Sequence, residues 1–181
     1  MITHDDVAGL RPEEKDAILD ALLGIAWADG EVQPEELDLL KRMGKFFTND
    51  DIEQLAQSYK SDLERVGRKI ARSDLGSKGR KVLILGLAYI AAAAGGLEDS
   101  ERAFYTQILR AFGIPDLQRQ RIEQQVRESV YGDWFAQKLQ AAAGGKLDDA
   151  ARADLAERRK QLLLDDALVA RIEGDVRAGI A

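Results

Sequence analysis

A chain of 181 residues with no cysteine, a single histidine and a formal net charge of -6 has room for one substantial core and an appended subdomain. Those counts exclude disulfides, thiolate nucleophiles and cysteine-ligated metal. They leave carboxylates as the candidate ligand or acid/base set, because His4 stands in what reads as a frayed amino terminus. With 45% apolar and 32% charged residues the composition is that of an ordinary globular protein, and its acidity argues against a surface built to grip nucleic acid.

Alanine, leucine, glutamate and arginine dominate and only three prolines interrupt, which favours helix throughout. The start, Met-Ile-Thr-His-Asp-Asp, lacks the basic and apolar regions of a signal peptide. Val82 to Leu97 is the longest apolar run, roughly 16 residues against the ~20 needed to span a bilayer. It therefore reads as a buried central helix, and a cytoplasmic location is expected.

Pro12-Glu13-Glu14 opens the first long helix, with proline near the first helical position and acids at the positive end of the dipole. Ile18, Leu22 and Ile25 form its stripe, and the helix is expected to run to about Asp29, where Gly30 stops it. Pro34-Glu35-Glu36 restarts the chain with a stripe of Leu39, Leu40, Met43 and Phe47. Asn49 is the expected N-cap of a third helix bearing Ile52, Leu55, Ala56 and Tyr59. A fourth segment, 62–72, places Leu63, Val66 and Ile70 on one face, and Ser73 to Lys78 reads as a loop.

The plan then recurs sixty-five positions on. Leu83, Leu87 and Ile90 fall opposite Ile18, Leu22 and Ile25, and Phe104, Tyr105, Ile108 and Phe112 fall opposite Leu39, Leu40, Met43 and Phe47. An ungapped match over a whole helix-turn-helix is the signature of an internal repeat. Gly113-Ile114-Pro115 ends that helix, and 116–130 reads as the next. Beyond Val130 the pattern changes: Tyr131 to Phe135 opens a short helix, Gly144-Gly145 breaks it, and 148–178 reads as one long or two shorter helices. Gly144-Gly145 before Leu147-Asp148 only faintly echoes Gly95-Gly96 before Leu97-Glu98.

At the centre of the first copy lies Ala28-Asp29-Gly30, with Val32 and Glu36 following; the second copy keeps Gly95, Leu97 and Glu101 but has Ala94 in place of the aspartate. This pattern, in a duplicated helical chain, resembles the tellurite-resistance TerB-like family over roughly Arg11 to Val130. The resemblance implies an all-α bundle with pseudo-twofold symmetry, an acidic site suspected of holding a divalent cation, links to stress responses and membrane-associated assemblies, and no settled catalytic activity.

The residues themselves give a plainer account of part of the motif. If Pro34 is the first helical residue, Gln33 is the N-cap and Glu36 stands where a glutamate reaches back to the N-cap amide; Glu101 occupies the equivalent place. Asp29 is harder to explain, since it sits at the negative pole of the first helix with Glu31 adding like charge. Two readings stay open: Asp29 caps the following helix, or Asp29, Glu31, Glu35 and Glu36 hold Ca²⁺ or Mg²⁺. The stretch is no EF-hand, because glycine comes second rather than sixth.

Arg65, Arg68, Lys69 and Arg72 share one stripe, a basic concentration in an acidic chain. It reads as a solvated helix face, or as the contact for an acidic protein partner or an anionic membrane surface. Trp27, Phe46, Phe47, Tyr89, Phe104, Tyr105 and Phe112 are expected in the core, and Trp134-Phe135 as an anchor of the carboxy-terminal segment.

The sequence thus predicts an all-α bundle of about eight to ten helices. Residues 1–130 would form a TerB-like domain with two helix-turn-helix repeats, and 131–181 a helical extension. The expected function is a non-enzymatic interaction module tuned by a divalent cation. The competing reading is a carboxylate-based metal-dependent hydrolase, which needs Glu98, Asp99 and Glu101 brought against Asp29; a structural subunit of a homo-oligomer is the third.

Overall fold

A computed structural model describes residues 2–59, 73–93, 97–142 and 145–180. Among the described residues all regular structure is helical, as the composition predicts. The chain contacts cluster into two units, Met1–Glu123 and Gln124–Ala181.

The first unit is built on two helices that are apolar nearly all round. Helix α2 (Pro12–Ala26) buries an unbroken run from Ala17 to Ala26, and α5 (Ser77–Ala93) buries Val82, Leu83, Ile84, Leu87 and Ile90. A helix without a polar face is stable only when covered on every side. Accordingly α2 packs along α5, α3 (Pro34–Gly44) lies against both, and α6 (Asp99–Ala111) and α4 (Ile52–Tyr59) cover α2 further. Ile18, Leu22 and Ile25 are fully buried, and so are their expected counterparts Leu83, Leu87 and Ile90; each such side chain contributes about 1.5–3 kcal/mol. At the crossing of α2 and α5 the backbone of Gly86 lies so close to Leu22 that an added Cβ would meet Leu22 Cδ2 at 2.6 Å.

Several expectations need correction. The amino terminus is not frayed: α1 (His4–Val7) is capped by Thr3, whose amide donates to Asp6 Oδ2 at 3.0 Å, and Ile2 and Val7 are buried. Its His4 ring stands edge-on to Phe46 at 5.0 Å. Helix α2 stops at Ala26 rather than Asp29, and the turn that follows closes on Gly30 at φ +94°. The cap of α4 is Asp51 rather than Asn49: its Oδ1 accepts from the amides of Glu53 at 2.8 Å and Gln54 at 3.4 Å. Phe46 and Phe104 are half-buried rather than core. The segment 62–72, with the stripe Arg65, Arg68, Lys69 and Arg72, lies outside the described residues, as do Ala94, Gly95 and Gly96.

No break separates Val130 from Tyr131. Helix α7 (Asp116–Ala141) runs straight through Gly132, whose single helical glycine costs only about 1 kcal/mol, while Tyr131 and Phe135 to either side are buried.

The second unit continues α7 with α8 (Asp149–Gln161) and α9 (Asp166–Ile180). The turn between α8 and α9 copies, fifty positions on, the turn between α6 and α7. Ile114 donates its amide to Leu109 O at 3.0 Å and Leu164 to Arg159 O at 3.1 Å; Gly113 donates to Arg110 O and Leu163 to Lys160 O. The left-handed residue is Gly113 (φ 59°) in one turn and Leu163 (φ 54°) in the other. The second unit's core holds Tyr131, Phe135, Leu155, Leu162 and Ile172; Trp134 is half-buried, with the Arg158 guanidinium 4.3 Å from its ring centre.

Candidate functional site

Three helices of the first unit begin with the same device, a glutamate three residues into the helix that returns to the N-cap amide. Glu14 Oε2 accepts from Arg11 N at 3.1 Å, Glu36 Oε2 from Gln33 N at 3.0 Å, and Glu101 Oε2 from Glu98 N at 2.7 Å. Each satisfies a donor that the helix start would leave unpaired. All three side chains are buried.

Their electrostatics nevertheless diverge. Glu14 also accepts from Gly76 N at 2.8 Å and pairs with Arg11 Nε at 3.1 Å. The Arg11 and Gly76 amides, aided by the Arg11 guanidinium, hold its carboxyl below the usual glutamate value. Glu36 pairs with no cationic side chain among the described residues. Burial pushes its carboxyl up to about 7, and the neighbouring carboxyls of Glu101 and Asp29 reinforce the shift. Glu101 is raised for the same reasons, burial first and then Asp29 and Glu98 against the Glu98 amide.

The two acidic turns therefore meet. Glu36 and Glu101, sixty-five residues apart in sequence, stand as a buried carboxyl pair within hydrogen-bonding reach of one another. Glu36 Oε1 meets no donor among the described residues, so with both groups ionised the pair is unsatisfied as well as repulsive. A proton on one carboxyl removes both costs, because the acid then donates to its neighbour.

The remaining predicted residues are distributed unevenly. Asp29 is exposed, and its Oδ1 accepts from Glu31 N at 2.9 Å. It closes its own turn and leaves the cap of α3 to Gln33 and Glu36. Glu31 and Glu35 are exposed. Among the described residues no group of three or more acidic or histidine side chains is placed to hold a metal ion, so as they stand the acids offer a cation a pair with Asp29 beside it, not a closed ligand shell. Of the set required for a hydrolase, Glu101 has both Asp29 and Glu98 near its carboxyl. Asp99 is on the exposed side of α6, beside a shallow hollow with Arg102, Thr106 and Arg110.

Sequence reasoning missed one buried acid altogether. Asp20, in the middle of α2, is 4% exposed and receives the hydroxyl hydrogen bond of Tyr59 from α4. An aspartate flanked by Leu19 and Ala21 in an apolar helix was the available signal.

Among the described residues no helix is long and apolar enough to cross a membrane. No curated protein and no solved structure matches the chain significantly. Residues 4–56 match the family described as Tellurite resistance protein TerB, a stretch that runs from α1 into α4 and carries Asp29 and Glu36 but not Glu101. Over that stretch, acidic turn included, the chain is similar to that family.

Proposed function

We propose that this chain is a non-enzymatic TerB-like interaction module in which a hard positive charge, a proton or a divalent cation, locks the two acidic turns together. One observation carries the reading: the buried Glu36–Glu101 pair joins the starts of α3 and α6 and has no cationic side chain among the groups that shift it. A carboxylate pair that needs a positive charge makes the packing of two helix starts responsive to pH or to ions. Ca²⁺ or Mg²⁺ suits an all-oxygen donor set, with Asp29 as the third carboxylate at the mouth. In this reading the segment carrying Arg65, Arg68, Lys69 and Arg72 supplies the contact for an acidic protein partner.

The test is thermal unfolding of the full chain between pH 5 and pH 8, first with chelator and then with Ca²⁺ or Mg²⁺. With chelator, the melting temperature should fall as the pH rises. Added cation should restore it at pH 8 in the native chain and in neither Glu101→Gln nor Asp29→Ala. Restoration by neither cation assigns the lock to the proton alone. A melting temperature indifferent to both pH and cation overturns the proposal. Charge reversal of the four basic residues should abolish capture of an acidic partner without changing the melting temperature.

A further inference from the structure

The second unit contains a cleft of about 460 Å³ bounded by Tyr131 of α7, the segment 145–147 before α8, and facing side chains of α8 and α9. Its size falls within the range of small-molecule sites. Its origin can be traced through the copied hairpin. In α6, the buried Tyr105 donates its hydroxyl hydrogen bond to Glu123 of α7. Fifty positions on, the tyrosine is replaced by Leu155 and the glutamate is kept as Glu173. The glutamate's partner is now Tyr131, whose hydroxyl donates to Glu173 Oε1 at 2.8 Å, and the shorter Leu155 leaves a hollow beside it.

Four cations line that hollow, Lys146, Arg152, Arg159 and Arg177, in a chain whose net charge is -6. Arg159 is paired with Asp166 at 2.5 Å and Arg177 with Glu173 at 3.3 Å. Glu173, the one carboxylate among the described residues that line the cleft, is thus held on one oxygen by Tyr131 and on the other by Arg177. Burial and this carboxylate both push the Tyr131 hydroxyl up, so it remains a donor. Lys146 and Arg152 form no ion pair or side-chain hydrogen bond among the described residues. The cleft therefore carries an excess of two positive charges, set against the apolar side chains of Leu147, Leu155 and Val169.

We propose that this cleft binds a phosphate monoester carried on a small apolar body. A monoester brings about two negative charges at pH 7 and three acceptor oxygens, which match the two uncommitted cations and the forked donors of arginine. The leucine and valine wall covers the apolar body. A monoanionic carboxylate would leave half the excess charge unneutralised.

Phenyl phosphate is the probe, titrated calorimetrically into the full chain and followed in parallel through the methyl resonances of Leu155 and Val169. Saturable binding that shifts both methyls is expected. The double substitution Lys146→Gln, Arg152→Gln, at exposed positions, should weaken it at least about tenfold, the scale of one or two charge-assisted hydrogen bonds. Lys160→Gln, whose partner is Glu157, should leave it unchanged. Inorganic phosphate should bind more weakly for want of the apolar body, and benzoate more weakly for want of charge. The proposal is overturned if phenyl phosphate fails to saturate, if the double variant binds within twofold of the native chain, or if benzoate binds equally well.

Discussion

Glu36 and Glu101 are each the third residue of their helix, each return a carboxylate oxygen to their own N-cap amide, and face one another in the interior of the first unit. One oxygen of each is thus committed to local structure, and the pair's remaining capacity is spent across the two turns. Replacing Glu36 by glutamine tests what this costs. The amide oxygen can keep the bond from Gln33, and the amide nitrogen supplies Glu101 with a donor that needs no proton.

The sign of the pH effect follows from the raised carboxyl. Glu36 moves from 4.5 to about 7, so the folded chain binds a proton that the unfolded chain releases. The resulting stability is complete below pH 4.5, declines across the interval, and is gone above about 7. Groups that bear on the pair, Asp29 and Glu98, are acidic and push the same way. In chelator, Glu36→Gln should unfold at a nearly constant temperature from pH 5 to pH 8. It should exceed the native chain at pH 8 by up to about 3 kcal/mol, as measured by denaturant unfolding. A variant less stable than the native chain at pH 8 would show that the pair is not the source of the pH dependence.

Glu14 makes the opposite prediction from the same motif. Its lowered carboxyl means stability that is present above the ordinary value of 4.5 and lost as pH falls through the folded value. Glu14→Gln should cost about 1–2 kcal/mol at pH 7, because the amides of Arg11 and Gly76 lose a charged acceptor. The difference from the native chain should vanish in acid. Urea unfolding followed from pH 7 downward through the acid range measures both halves.

These two residues also mark the limit of what the sequence reveals. The proline and glutamate signals at Pro12–Glu14 and Pro34–Glu36, and the acids at Glu98 to Glu101, announce helix starts because capping is decided within four residues. Whether the capping glutamate then also meets a distant backbone amide, as Glu14 meets Gly76, or another glutamate, as Glu36 does, depends on how remote segments pack. The apolar stripes of α2 and α5 were legible through their spacing, and the two helices do pack together. The copied hairpin in the second unit was not, because its offset of fifty differs from the sixty-five of the expected repeat and leucine takes the place of the diagnostic glycine at Leu163. Tyr131 to Phe135 reads in sequence as the opening of a new helix, whereas Tyr131 and Phe135 are the buried face of one already running.

Gly86 should not tolerate even a methyl group. An alanine Cβ would stand 2.6 Å from Leu22 Cδ2 and 3.1 Å from Cδ1, and Leu22 is fully buried, so its terminal methyls can move only against close-packed neighbours. Helix propensity favours alanine by about 1 kcal/mol, but overpacking of this kind costs about 1–3 kcal/mol. Gly86→Ala should lower stability despite the better helix former, and Gly86→Ala combined with Leu22→Ala should recover part of the loss attributable to the clash. A double-mutant cycle reads this as a coupling between the two positions.

Leu163 offers the reverse case, a residue that is locally wrong and spatially free. It holds φ 54° at the turn between α8 and α9, where a side chain costs about 1–2 kcal/mol, and it is 79% exposed, so little packing offsets that cost. Its counterpart in the copied turn is Gly113 at φ 59°. Leu163→Gly relieves the strain while loosening the unfolded chain, which returns part of the gain. The net expectation is a stabilisation of about 0.5–1 kcal/mol, seen as a higher melting temperature. Leu163→Ala separates the causes, since it removes the exposed side chain but keeps a Cβ in the left-handed region. If backbone strain is the reason, alanine should gain little and glycine most; equal gains from both would place the defect in the exposed leucine side chain.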